Sequence, residues 1–167
     1  MKLETERLEL IALNSHELRL WTEDMPALEW EIKATYKAEP MEGEFLNIVK
    51  RQLEMTKNDL ENYMWHSFFL IVRRSDRVVV GSADFKNVPD KEGKVEIGYG
   101  LGKEFEHNGY MTEAVGTMCS WAFEQEGVKA VIAETEVNNI PSQNVLKRCG
   151  FAEYSREKNI WWRLEAK

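Results

Sequence analysis

Val95-Glu96-Ile97-Gly98-Tyr99-Gly100-Leu101 has the makings of a strand, and it runs through a short loop into Asn108-Gly109-Tyr110-Met111-Thr112-Glu113-Ala114, the start of a helix. A strand, a glycine turn and a helix N-terminus together make a site for phosphate groups. The unpaired N–H groups of a first helical turn face the loop, and the macrodipole adds roughly half a positive charge there. An anion is therefore expected near residues 107 to 112, with Gly109 allowing close backbone approach. Gly98 and Gly100 weaken a strand, which predicts either a bulge or the close approach of a ligand. Cys119 and Cys149 fall within predicted helices, without the Cys/His clustering of a zinc site or a neighbouring partner for nucleophilic catalysis. Both read as small buried hydrophobes suited to a reducing compartment, and no metal is expected.

The elements around this stretch follow from periodicity. Arg7 to Leu13 alternates as a first strand, Asn14-Ser15 offers an N-cap for a helix to Trp21, and Pro26 opens a second helix from Ala27 to about Lys37. Glu44 to Tyr63 places Phe45, Ile48, Val49, Leu53, Leu60 and Tyr63 close to a 3.6-residue period, predicting one long amphipathic helix. Then the period changes. Phe68 to Val72 and Val78 to Phe85 flank the turn Arg74-Ser75-Asp76-Arg77, and Asp90 to Gly93 turns into the strand at Val95, giving a three-strand meander. A helix from Tyr110 to Gln125 precedes a buried strand over Val128 to Val137, which must run parallel to the Val95 strand because a helix crosses between them. Asn138-Asn139-Ile140-Pro141 opens a helix ended by Gly150, and Phe151 to Ser155 pairs with Ile160 to Leu164. The order gives one α+β domain over 1–167 with a largely antiparallel sheet.

The chain has 167 residues, enough to bury a core without disulfides. Its formal charge of -7 argues against broad nucleic-acid binding, which needs Lys and Arg facing phosphates. No apolar run approaches the ~20 residues of a membrane span and Met1 to Glu4 is no signal peptide, so a cytoplasmic protein with no membrane partner is expected. Between Glu23 and His66 stand ten Asp/Glu against five Lys/Arg, which would favour a cationic acceptor or simply form a solvated helix face.

Four pieces resemble, in order, the GNAT superfamily of acetyl-CoA-dependent N-acetyltransferases, specifically the branch similar to ribosomal-protein alanine N-acetyltransferases. Glu4-Thr5-Glu6-Arg7-Leu8 is similar to its opening strand, Glu96-Ile97-Gly98-Tyr99 to its fourth strand, and Gly109 to Ala114 to its pyrophosphate loop and helix; Asn139-Ile140-Pro141-Ser142 through Gly150-Phe151 is similar to its last motif. The resemblance implies a central sheet flanked by helices, with a splayed parallel strand pair forming the coenzyme A cleft. It assigns 67–151 to the acetyl-CoA-binding core and 14–66 to variable acceptor-side helices.

The resemblance also implies roles. Pantetheine would add beside Tyr99, Gly100 and Leu101 through backbone groups, one of which could steady an oxyanion. His107, Asn108, Gly109, Tyr110, Met111 and Thr112 would hold the pyrophosphate, although Glu106, His107 and Met111 depart from the family pattern and imply weaker binding. Because an attacking amine must shed a proton, a base is needed. Glu96 is the first candidate, followed by Glu134 and Glu136. Leu146 stands where many members have a proton-donating Tyr, and Ser142 would stabilise the leaving sulfur instead, or serve only as a helix-end hydroxyl. Asn139 would bond pantetheine or cap its helix, and Asn144 and Lys147 would face the adenine end. Trp30, Tyr36, Tyr63 and Trp65 would line an acceptor groove or join the core. The implied activity is direct acetyl transfer to an amine, either a protein N-terminus or a small cationic amine, by a monomer or homodimer; the alternative is a coenzyme A-binding regulatory module without turnover.

Overall fold

Seven segments of five to eight residues and two shorter ones form a nine-stranded sheet in a computed structural model that describes all residues, Met1–Lys167. In chain order the elements are β1 (Lys2–Glu4), β2 (Leu8–Ala12), α1 (Ser15–Glu23), α2 (Met25–Ile32), β3 (Thr35–Tyr36), α3 (Gly43–Asn58), α4 (Tyr63–His66), β4 (Phe68–Arg73), β5 (Val78–Phe85), β6 (Lys94–Leu101), α5 (Tyr110–Glu124), β7 (Ala130–Glu136), α6 (Ile140–Arg148), β8 (Ala152–Arg156) and β9 (Asn159–Glu165). The sheet order is β1-β2-β4-β5-β6-β7-β9-β8, with β3 lying parallel on the end of β5. No helix is long and apolar enough to cross a membrane.

β5 is buried along its whole length because both faces of the sheet are covered there. On one face α5 and α6 contribute Ala114, Val115, Met118, Ala122 and Leu146 to a core with Phe69, Phe85, Ile97 and Val131. On the other, α1, α2 and α3 pack Leu18, Trp21, Leu28, Val49 and Leu53 against Leu70, Val72 and Val79. Each such aliphatic side chain contributes about 1.5–3 kcal/mol on burial, so the double cover fixes the sheet's register from both sides.

The expected meander is present as β4-β5-β6, and β7 runs parallel to β6. Three expectations need correction. The opening strand over 4–8 is a hairpin, β1 and β2, because Thr5 and Arg7 turn away to bind Glu113. The helix expected to reach Lys37 stops at Ile32: the Arg77 guanidinium donates to the carbonyls of Ile32 and Lys33, and Thr35 N–H bonds Arg77 O, pulling the chain onto β5. The helix expected over 44–63 ends at Asn58, where Asp59 adopts φ -149° and pairs with the buried His66 at 2.9 Å. Leu60 is consequently exposed rather than part of the stripe.

Candidate active site

β6 changes partner halfway along its length. Lys94 to Glu96 pair with Ala130 to Ile132 of β7, whereas Ile97 to Leu101 pair only with β5 on the other side. Beyond Glu96 the parallel pair opens. Alternate backbone groups of residues 97 to 101 therefore face a cleft instead of a ladder partner.

The β5–β6 register is regular from Gly81–Leu101 to Phe85–Ile97, so Gly98 and Gly100 mark no bulge. Their missing side chains make room for side chains from the α1–α3 face. A Cβ on Gly98 would lie 2.9 Å from Asp84 Oδ1 and 2.8 Å from Lys86 Nζ, and one on Gly100 would lie 3.0 Å from Glu39 Oε1.

Glu96 stands at the fork, half-buried. Burial pushes its carboxyl above the ordinary range; Glu134 and Asp84 push the same way, and Lys86 opposes them. Glu134 and Glu136 are exposed, and Glu134 accepts from Asn159 Nδ2 at 3.0 Å. Of the three carboxylates, Glu96 alone combines a desolvated carboxyl with a position at the opening.

Across the cleft, Asn139 Oδ1 accepts the Ser142 N–H at 3.2 Å and so caps α6. That leaves the Ser142 hydroxyl free of capping duty. It lies 2.9 Å from the Tyr99 hydroxyl, which is also 3.1 Å from Ser142 O. Burial pushes the Tyr99 phenol up to about 12, with the Ser142 contact pulling slightly down, so Tyr99 keeps its proton at neutral pH. Leu146 is fully buried, and that position serves packing. Asn144 is half-buried on α6, and Lys147 Nζ sits 6.0 Å from the centre of the Trp162 ring.

The loop ahead of α5 is held from below. Arg7 donates through Nη1 to Asn108 O at 2.8 Å and through Nε to Glu113 Oε1 at 2.9 Å, and its guanidinium lies 4.7 Å over the Tyr110 ring. Burial alone would raise the Glu113 carboxyl, yet hydrogen bonds from Thr5 and Arg7 outweigh it and leave the group below its usual range. Asn108 Nδ2 ties the loop further, donating to Phe105 O at 3.0 Å and Glu106 O at 3.1 Å. His107 and Gly109 take left-handed φ values of 67° and 78°. No side chain caps α5, and Thr112 Oγ1 is enclosed without a hydrogen-bond partner. Free N–H groups and an orphaned hydroxyl at a helix start suit a pyrophosphate. Met111 is buried in the core, so its side chain leaves the loop mouth clear; Glu106 and His107 are exposed.

The aromatic candidates separate. Trp65 is core, packed at a tilt against Phe85 and Trp121, and Trp30 is 81% exposed on α2. Tyr63 receives a hydrogen bond from the Met1 amino group, while Tyr36 packs edge-on against Trp21 and donates to Glu39 O. Both cysteines are free thiols raised by burial; Cys119 is buried and Cys149 is half-buried, with Sγ 3.4 Å from Thr112 O. No cluster of His, Cys, Asp and Glu could hold a metal ion.

Sequence reasoning missed the Tyr99 hydroxyl, having used that residue only for its backbone, and it missed Asp84 and Glu39. A signal for Asp84 was available: the one charged residue in the run Val78 to Phe85 is costly to bury unless it serves something.

A mixed sheet that opens between two parallel strands, with an uncapped helix N-terminus following β6, defines a class of α+β fold with a cleft suited to an anionic ligand. Residues 7–152 match the model of the acetyltransferase (GNAT) domain, and the chain belongs to that family. It is 27% identical over 154 residues to a Bacillus subtilis strain 168 protein described as the uncharacterized N-acetyltransferase YjdG, covering 85% of this chain and 90% of that one. Among solved structures it is similar to the ribosomal-protein-S5-alanine acetyltransferase of Vibrio fischeri (TM-score 0.72, 17% identity, 99% of this chain and 97% of the other). It is also similar to RimL, the ribosomal L7/L12 alpha-N-protein acetyltransferase solved with coenzyme A (TM-score 0.70, 12% identity, 99% and 98% covered). The protein is thus an enzyme of the GNAT acetyltransferase family, with the mixed α+β fold that the sequence implied.

Proposed function

We propose that the enzyme transfers the acetyl group of acetyl-CoA directly to a primary amine, a protein N-terminus or a small cationic amine, within a ternary complex. The observation that carries this reading is the partner change of β6 at Glu96, which opens backbone groups of residues 97–101 toward α6. When bound, acetyl-CoA supplies an activated thioester. Backbone groups of Tyr99, Gly100 and Leu101 would hold its pantetheine arm, N–H groups of His107 to Thr112 its pyrophosphate, and Asn139 and Asn144 the α6 side.

Glu96 takes the proton from the attacking amine, directly or through water, as the N–C bond forms and the C–S bond breaks. Ser142 then donates a hydrogen bond or a proton to the departing sulfur. Tyr99 has one proton and two acceptors within reach, Ser142 Oγ and Ser142 O. When Tyr99 donates to Oγ, the serine proton is released toward the cleft. Ser142, oriented by Tyr99 from β6, thereby fills the donor role that Leu146 cannot fill from α6.

Calorimetric titration of acetyl-CoA, followed by thiol release over a panel of N-terminal peptides and small amines, tests this reading. Binding together with amine-dependent release is expected. Binding without release from any amine would instead mark a regulatory coenzyme A module, and absence of binding at millimolar concentration would overturn both readings.

A further inference from the structure

On the α1–α3 face of β6 lies a cavity of about 280 Å³ whose walls include Glu39, Glu44, Asp84, Lys86, Phe45, Ile48, Phe68 and Gly100. Its size lies at the lower edge of the about 300–1,000 Å³ usual for small-molecule sites. Three carboxylates and one ammonium face it. Asp84 is 2% exposed, and its Oδ2 is enclosed without a hydrogen-bond partner; Lys86 Nζ approaches that oxygen only to 3.7 Å. Lys86 and Gln52 offset the burial of this carboxylate only in part, and a cation entering the cavity would relieve the remaining cost.

The charges are also spaced. Asp84 stands over Gly98 and Glu39 over Gly100, successive same-face positions of β6. Two strand residues at roughly 3.3 Å each set these positions about 7 Å apart. Phe45, Ile48 and Phe68 supply an apolar wall beside them. Glu96 lies two residues before Gly98 on the same strand, so the line of carboxylates continues toward the fork.

Resting on the acetyl-transfer reading above, we infer that the acceptor is a short aliphatic diamine or polyamine. One amino group reaches Glu96, methylenes lie against the phenylalanines, and a second ammonium is held by Glu39, Glu44 and Asp84. The cavity favours two cations joined by a narrow apolar chain over a peptide N-terminus, which carries amide groups and side chains at each step.

The test is calorimetry of 1,4-diaminobutane against butylamine, into the full chain with and without coenzyme A, beside thiol release with both amines and an alanine-initiated peptide. The diamine should bind about tenfold more tightly than the monoamine, and Glu39→Gln with Glu44→Gln should erase most of that gap. Both substituted residues are exposed, which protects the fold. Equal affinity for the two amines, or a gap unmoved by the double substitution, overturns the inference. If the peptide is acetylated and the diamine is ignored, the inference fails and the acetyltransferase reading stands. If the diamine binds selectively but no amine releases thiol, the acetyltransferase reading fails and the diamine is a ligand of the cavity rather than an acceptor, which overturns the inference as well.

Discussion

In the proposed mechanism Glu96 and the Ser142–Tyr99 pair divide the proton work, and each makes a distinct kinetic prediction. Glu96 must be ionised to act, and its burial raises the pH at which that happens. Glu96→Gln should therefore lower kcat/KM by roughly 10²-fold or more at neutral pH. The defect should shrink as pH falls through the raised carboxyl ionisation, where the native enzyme loses its base too, and again as pH nears ~10.4, where a Lys-type amine sheds its own proton. A pH-independent defect would remove Glu96 as base. Ser142→Ala and Tyr99→Phe should each lower kcat while leaving the acetyl-CoA Kd unchanged, and the double variant should be little worse than the poorer single one, because the hydroxyls act in series. Additive losses in kinetic measurements would separate them. Glu96 and Ser142 are proposed from their motif positions, and the Asn139 cap was legible in the same way. The Tyr99 hydroxyl was not, since nothing in a strand sequence says which distant helix its side chain meets.

At the scale of elements, strongly periodic segments were read well, and the losses came where one side chain overrode local pattern. Arg77 ends α2 by holding its last carbonyls, and Thr5 with Arg7 breaks the first strand into a hairpin by reaching more than a hundred residues along the chain to Glu113. Neither contact has a local signature. The glycines show the same divide between pattern and context. A Cβ on Gly81 would lie 2.5 Å from the Gly100 carbonyl oxygen, backbone against backbone, whereas one on Gly100 meets only the flexible end of Glu39. Gly81→Ala should force β5 from β6 and cost about 1–3 kcal/mol, a Tm drop of roughly 2–4 °C per kcal/mol at this size. Gly100→Ala should melt close to the native protein. Similar melting curves for the two variants would show that β6 yields more easily than its packing implies. Asp84 adds a pH signature. Its folded carboxyl is raised by burial, so its contribution favours the fold at low pH and is lost as pH rises through the raised value. Asp84→Asn should thus gain melting temperature relative to the native chain at neutral pH, with the gain vanishing toward acid; a constant difference would contradict an ionised buried carboxylate.

Taken whole, the molecule joins two halves of a sheet through one strand, and that joint is where the proposed chemistry lies. The α+β architecture, the parallel β6–β7 pair and the helix start at Tyr110 were all readable from residue order, because a crossover helix between strands fixes their direction. The cavity proposed for the acceptor was not readable: it is assembled from the segment before α3, from α3 itself, and from β5 and β6, and only the acidic excess of residues 23–66 hinted at it. The central claim is direct transfer in a ternary complex over the fork at Glu96, with neither raised cysteine thiol carrying the acetyl group. Initial rates of thiol release, measured while acetyl-CoA and amine are varied together, test it most directly. Double-reciprocal lines that intersect are predicted; parallel lines, the mark of an acetyl-enzyme, would contradict it.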